Sequence, residues 1–310
     1  RSHTTHLTEK RVVNYNPKYK KKDSANDASF TLLLKLTFKE NVTMKKLFLA
    51  LATTLLFPNM SYAAACADGA NAAGCTISTT DITYTLTGDI APASGVTGIE
   101  FTSGATTNTT TLTGDISTMG NYAYGLSLSD SDSNTTSLTG NISTTGDFAR
   151  GLSLSSSDSN TTTLTGNITT TQKYGWGLYL QSSVGNTTTL KGNITTEGEA
   201  GHGLYLAHSN FNTINFTGNI TTTGDYARWL SLENSDSNSI NLTGSLSATG
   251  ANSYGIYAHS NSDNNTITFN QGSQIIGGLH NDGANNTLTF NLGRAASYNF
   301  TTSGAVNWVL

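Results

Sequence analysis

A pentapeptide of the form Leu-Thr-Gly-Asp/Asn-Ile opens at Leu86 and returns, with variations, at Leu112, Leu138, Leu164, Leu190, Phe216 and Leu242. Each copy begins 26 residues after the last, with no insertion between neighbours. A constant period of this size marks a solenoid, in which each repeat is one coil that buries its apolar edge only by stacking on the next. Function must then reside on the surface of a stacked rod.

Other positions keep the same beat. Asn108, Asn134, Asn160, Asn186, Asn212 and Asn238 precede each pentapeptide by four residues, and Gly125, Gly151, Gly177, Gly203 and Gly255 follow it, with Trp229 breaking the glycine series. A third register holds Gly120, Gly146, Gly198, Gly224 and Gly250, with Gln172 as its exception.

Within a coil the hydrophobic period is two. The segment from Asn160 to Ile168 places Thr162, Leu164, Gly166 and Ile168 on one face of an extended chain. Tyr174, Trp176, Leu178 and Leu180 alternate in the same way, and His202, Leu204 and Leu206 take the equivalent places one coil on. Two strands per coil are expected, with a third short one in the Ile-Ser/Thr-Thr segment, where β-branched residues favour a pleated surface. Glycines and the Ser-Asp-Ser-Asn segments turn the corners. The reading is all-β: a single parallel β-helix of 26-residue coils, with seven regular rungs and one or two irregular ones, about 40 Å long at roughly 4.8 Å per rung. The Asn register shares parity with the buried Leu residues. That predicts amides stacked coil on coil at a corner, because buried amides need such partners.

Charge divides the chain. Of the 16 Lys and Arg residues, 11 lie before residue 64; beyond it Arg150, Lys173, Lys191, Arg228 and Arg294 face 16 acids, a net of -11. Nucleic acid is disfavoured as a partner, since phosphate binding wants a basic stripe, and an anionic membrane surface is disfavoured too. Met44-Lys45-Lys46, the apolar run Leu47 to Phe57, and Ser61-Tyr62-Ala63 read as a signal peptide over 44–63 with cleavage after Ala63, Ala65 being the alternative. The apolar run is too short to span a membrane. Residues 1–43 are basic, lack Met and precede that signal, so they read as a gene-start error or a disordered leader. Cys66 and Cys75 are the only cysteines, and export predicts that they pair in a short disulfide loop. The segment 64–85 reads as an N-terminal cap region. After residue 256 the beat loosens, with the strand motif returning at Phe269 and Phe290, 27 and then 21 residues on. The last residues resemble no polar cap, so the natural product is expected to continue beyond Leu310.

A signal sequence followed by Thr/Asn/Gly-rich coils, with motifs such as Ala251-Asn252-Ser253-Tyr254-Gly255-Ile256-Tyr257-Ala258 and Asn265-Thr266-Ile267-Thr268-Phe269, is similar to the passenger region of Gram-negative autotransporters. The similarity covers 64 to 310. It implies a right-handed β-helix, export through the inner membrane, and passage across the outer membrane with the help of a C-terminal β-barrel. The sequence holds no such barrel. The implied location is the cell surface or the extracellular space, or the periplasm if the barrel is truly missing.

Three functions follow for weighing. The first is an adhesin or self-association module, binding a host glycan, a host protein or another copy of itself through contacts repeated along the rod. The second is ice binding, because Thr109, Thr111, Thr113, Thr161, Thr163, Thr165, Thr187, Thr189, Thr213 and Thr217 face outward, interrupted at Lys191 and Asn215. The third is a polysaccharide-acting enzyme, for which Asp130, Asp132, Asp158 and Asp236 are the available carboxylates; Asp132 and Asp158 would lie one rung apart, close enough to share a cation. Such residues are more often solvated turn formers. No catalytic, cofactor or metal site is expected, and His202, His208, His259 and His280 have no ligand spacing. One register is chemically varied, holding Tyr124, Arg150, Trp176, His202 and Arg228. From it Arg150, Trp176, His202 and Arg228 are the candidate ligand contacts, since Tyr, Trp and Arg are favoured anchors in recognition. The alternative is that they are half-buried corner residues, with His202 on a partly exposed edge.

Overall fold

The computed structural model describes residues 64–67, 69–70 and 72–291 and the strands Thr302–Gly304 and Asn307–Val309, all within one compact unit, Asn59–Leu310. The expected leader 1–43, the signal segment 44–63 and the cleavage point after Ala63 lie outside the described residues.

Every described strand pairs in parallel, and the described residues contain no helix. Each regular coil contributes one strand to each of three sheets. The first sheet has 11 strands, among them Leu126–Ser129, Leu152–Ser155, Leu178–Gln181, Leu204–Ala207 and Arg228–Glu233. A second, also of 11, includes Thr109–Thr113, Thr135–Thr139, Thr161–Thr165 and Thr187–Lys191. The third has seven, among them Ile116–Thr118, Ile142–Thr144 and Ile168–Thr170, in the segment expected to hold a short strand. The molecule is therefore a β-solenoid. Leu138 pairs with Leu164, and Leu164 with Leu190, so the sequence period is the register of the sheet. Within 64–85, the strand Cys75–Ile77 pairs with Ile99–Phe101 and Gly69–Ala70 with the strand holding Leu86, so this segment continues both long sheets. The sulfurs of Cys66 and Cys75 are bonded at 2.06 Å.

Alternation sorts the side chains. In Thr161–Thr165 the second and fourth residues are buried and the first and last exposed. The core is a set of axial columns in which Leu112, Leu138, Leu164 and Leu190 stack beside Ile116, Ile142, Ile168 and Ile194, all buried. Burying a Leu or Ile is worth roughly 1.5–3 kcal/mol, and each is covered only when the next coil is in place. Gly151 shows how tightly the coils meet: a Cβ there would lie 2.3 Å from Ile168 Cγ2 and 2.8 Å from the Gly177 carbonyl oxygen. Trp229 occupies that glycine register yet is fully buried, edge-on to Phe269 at 5.9 Å. Its indole fits because the next residue in the register, Gly255, has no side chain; a Cβ there would stand 2.5 Å from Trp229 Nε1. Beyond this insertion the period changes, with Leu242 pairing Phe269 and Phe269 pairing Phe290.

Polar ladders close the corners. The Asn160 amide accepts the Asn134 N–H at 2.8 Å through Oδ1 and donates Nδ2 to the Ser131 carbonyl at 2.8 Å, and the pattern repeats from Asn108 to Asn286. A second buried ladder was not anticipated. Ser131 N–H donates to Ser157 Oγ, Ser157 to Ser183, and so on to Ser262. Its 26-residue beat is present in the sequence but masked by the abundance of serine around it.

Candidate functional site

The outer face of the first sheet carries the varied register. Parity with Leu178 and Leu180 predicts that Tyr174 and Trp176 share the core face, and here the structure differs. Trp176 packs against Tyr179, whose neighbours in sequence, Leu178 and Leu180, are both fully buried in the core. The residue between Trp176 and Leu178 is Gly177, where the chain bends before the strand begins and breaks the two-residue alternation.

Successive coils stack these side chains along the rod. The Arg150 guanidinium carbon lies 4.8 Å from the Tyr124 ring centre, 4.9 Å from that of Trp176 and 4.0 Å from that of Tyr179. His202 lies nearly parallel to Trp176 at 6.3 Å and edge-on to Tyr205 at 5.2 Å. Three coils beyond Arg150, the guanidinium carbon of Arg228 sits 3.9 Å from the Tyr257 ring centre. Trp176 Nε1 donates to the Ala200 carbonyl at 2.9 Å, and the Tyr205 hydroxyl donates to the Glu233 carboxylate. All four candidate contacts thus belong to one continuous band. Arg150, Trp176 and Arg228 are half-buried. His202 is not at a partly exposed edge, as its variable register had implied: it is 7% exposed, enclosed by Trp176, Tyr205 and the Arg228 backbone.

Electrostatics follow from that enclosure. Burial, with Arg228 and His259 as lesser causes, pushes the His202 pKa down to about 3, so the ring is neutral and its Nδ1 accepts the Arg228 N–H at 3.2 Å. Burial draws both arginines below their ordinary pKa and pushes Tyr179 and Tyr205 up, the latter aided by its bond to Glu233. The guanidinium groups stay charged regardless. Ion pairs among the described residues are Lys173–Glu199 at 2.6 Å and His280–Asp282 at 2.8 Å, and neither involves these arginines.

A smaller aromatic column runs beside the band. Tyr122, Phe148 and Tyr174 stack with centres 5.1 and 4.8 Å apart, each with φ between 55° and 60°, and Tyr122 is 59% exposed. Left-handed backbone under a bulky side chain is uncommon. Sequence offers one signal for it, the aromatic residue two positions after Gly120, Gly146 and Gln172 of the third register.

The other sequence candidates are placed elsewhere. Asp132 and Asp158 are one rung apart, but Asp132 Oδ1 accepts the Asp158 N–H at 2.8 Å and Asp158 Oδ1 accepts the Val184 N–H at 2.7 Å. Asp236 does the same for Asp263 at 2.7 Å. These carboxylates hold corners together. No group of three or more His, Cys, Asp or Glu side chains fit for a metal occurs among the described residues, nor does a helix long and apolar enough to cross a membrane. The outward face of the second sheet forms the expected threonine array, with Thr109, Thr135, Thr161, Thr187 and Thr213 in one unbroken column and Thr165 beside Lys191. A cavity of about 10 Å³ near Ile256, Ile267 and Leu288 is no larger than a water molecule.

No protein-family model matches this chain, and no match is found for it among curated protein sequences or solved structures.

Proposed function

We propose that this chain is an exported binding rod, an adhesin or self-association module of the autotransporter-passenger kind, displayed at a Gram-negative cell surface and acting without catalysis. The observation that carries this reading is the aromatic and arginine band, which runs along consecutive coils from Tyr124 to Tyr257 on one outward face. Such a band offers many small contacts in a fixed row, and effective concentration turns weak affinities in a row into firm attachment. Aromatic side chains and arginine are the residues most often found to anchor recognition. Of the aspartates an enzyme would draw on, Asp132, Asp158 and Asp236 accept backbone N–H groups. The test is to add the purified chain to non-adherent bacteria and to cultured cells and to score aggregation and attachment. Absence of both, with no hit on a glycan panel, would remove the proposal.

A second reading rests on the threonine array. Its outward columns lie on a regular parallel sheet, with rungs roughly 4.8 Å apart, and ordered hydroxyls at fixed spacing suit a water lattice. Lys191 and Asn215 interrupt it, and threonine is also an ordinary exposed strand former. Measurable thermal hysteresis in the purified chain would favour this reading over the first.

A further inference from the structure

Resting on the binding-rod reading, we infer that Arg150 and Arg228 form a paired site for a linear acidic polysaccharide, whose carboxylate or sulfate groups complete the two guanidinium groups.

The two arginines are built alike. Each donates Nη1 to the serine three residues on, Arg150 to Ser153 at 3.4 Å and Arg228 to Ser231 at 3.2 Å. Each lies over a tyrosine of the same outward column, Tyr179 and Tyr257, at 4.0 and 3.9 Å. Each has a buried Nε–H with no acceptor, and neither has a carboxylate within ion-pair distance among the described residues.

The fold does not require a cation here. The same register is filled by Tyr124, Trp176 and Tyr254 in other coils, and an aromatic ring stacks there without leaving a charged donor short of partners. Cation–π contact offsets part of the lost hydration but supplies no hydrogen-bond acceptor. A cation set twice in the same way, stacked on rings but with no carboxylate beside it, is what an anion site looks like in its empty state. The missing component is an anion with planar or clustered oxygens, which a guanidinium fork matches better than an ammonium does.

Spacing selects a polymer over a single ion. Arg150 and Arg228 are three rungs apart, roughly 14 Å at about 4.8 Å per rung, with no register shift in the sheet between them. A chain of acidic sugars with repeating charge spans that distance and gains from engaging both sites. Glu233, held by Tyr205, lies near Arg228 and weakens the second site for an anion, so Arg150 is the stronger of the two. The acid excess of residues 64–310 opposes diffuse attraction of any polyanion. Binding must therefore come from these two desolvated contacts, which salt screens less than it screens exposed charge.

The test is calorimetric titration of the purified chain with a sulfated uronate–glucosamine octasaccharide, a galacturonate octasaccharide and neutral maltooctaose. One or both acidic octasaccharides should bind, which identifies sulfate or carboxylate as the recognised group, and maltooctaose should bind at least tenfold more weakly. R150Q should weaken the acidic ligand about tenfold, the R150Q/R228Q pair should lose it, and a disaccharide of the same chemistry should bind at least tenfold more weakly than the octasaccharide. R150Y, which places in this register the residue found at Tyr124, guards against a folding defect: its melting temperature should stay near the parent's while affinity falls as in R150Q. The inference is overturned if no acidic octasaccharide outbinds maltooctaose, or if the double variant binds as tightly as the parent. A parent chain that ignores acidic sugars yet still attaches cells removes this inference alone; one that neither attaches nor self-associates removes the binding-rod proposal beneath it.

Discussion

The backbone N–H of Asn134 is hydrogen-bonded to the side-chain Oδ1 of Asn160 at 2.8 Å, so a side chain in one coil satisfies the main chain of its neighbour. The same amide donates to the Ser131 carbonyl at 2.8 Å, and the residue is 1% exposed. Asn160→Leu leaves two buried backbone groups without partners, at about 1–3 kcal/mol each. We expect the variant to melt markedly lower, with roughly 2–4 kcal/mol lost in a denaturant titration, and with ligand binding intact. Unchanged stability would mean that the ladder contributes nothing.

A contrary case lies two residues along the chain. The Oγ1 atoms of Thr110, Thr136, Thr162 and Thr188 are buried with no hydrogen-bond partner, and in the next coils the column changes to Ile214 and Ile240. A hydroxyl enclosed by hydrocarbon is a cost, and valine has nearly the same shape. Thr162→Val should therefore stabilise the chain by about 1 kcal/mol, seen as a raised denaturant midpoint without change in slope.

Two glycines separate crowding from conformation. Gly151 has no room for a methyl group beside Ile168 Cγ2 and the Gly177 carbonyl, so Gly151→Ala forces adjacent coils apart and should cost about 3 kcal/mol. At Gly185 the surroundings are open but φ is +69°, and the same corner holds Ser159 and Phe211 at φ 58° and 57°. Gly185→Ala should cost about 1 kcal/mol. Equal losses in the two variants would contradict the close approach of coils at Gly151.

What the sequence discloses, and what it conceals, follows from which properties depend on the period. Leu138 against Leu164 and the Asn160 ladder are set by a fixed spacing and a parity, both visible in one dimension. The change of beat at Phe269 and Phe290 was legible for the same reason. Trp176 and His202 were misplaced because Gly177 and Gly203 bend the chain ahead of the strand, and two-residue counting fails across a bend. The roles of Asp132 and Asp158 were hidden because a corner carboxylate serves a cation or a neighbouring N–H equally well on paper; only the 2.8 and 2.7 Å contacts decide. The band itself was half visible: its register stood out as varied, but the tyrosines at 179, 205 and 257 that complete it belong to an adjacent column of the sheet.

His202 ties that band to pH. Its ring is 7% exposed, and its Nδ1 must be unprotonated to accept the Arg228 N–H. Arg228 and His259 add positive charge nearby, Trp176 and Tyr205 enclose the ring, and its pKa falls to about 3 from an ordinary 6.5. Above pH 6.5 the group is neutral in folded and unfolded chains alike and its protonation is immaterial. As pH falls below 6.5 the unfolded chain takes up a proton that the folded chain refuses, so stability declines until pH 3, where both are protonated. One pKa unit is worth about 1.4 kcal/mol, so the loss over that window is on the order of 5 kcal/mol. Carboxylates titrate in the lower part of the same range, so the measurement is a difference: denaturant midpoints of the parent and of His202→Tyr at pH 7, 5.5 and 4. Tyrosine keeps the stacking found at Tyr124 but carries no titrating group there. The variant should lose less stability on acidification than the parent, with the gap opening between pH 6.5 and 5. Parallel profiles for the two proteins would mean that the His202 ring is not enclosed as the band requires.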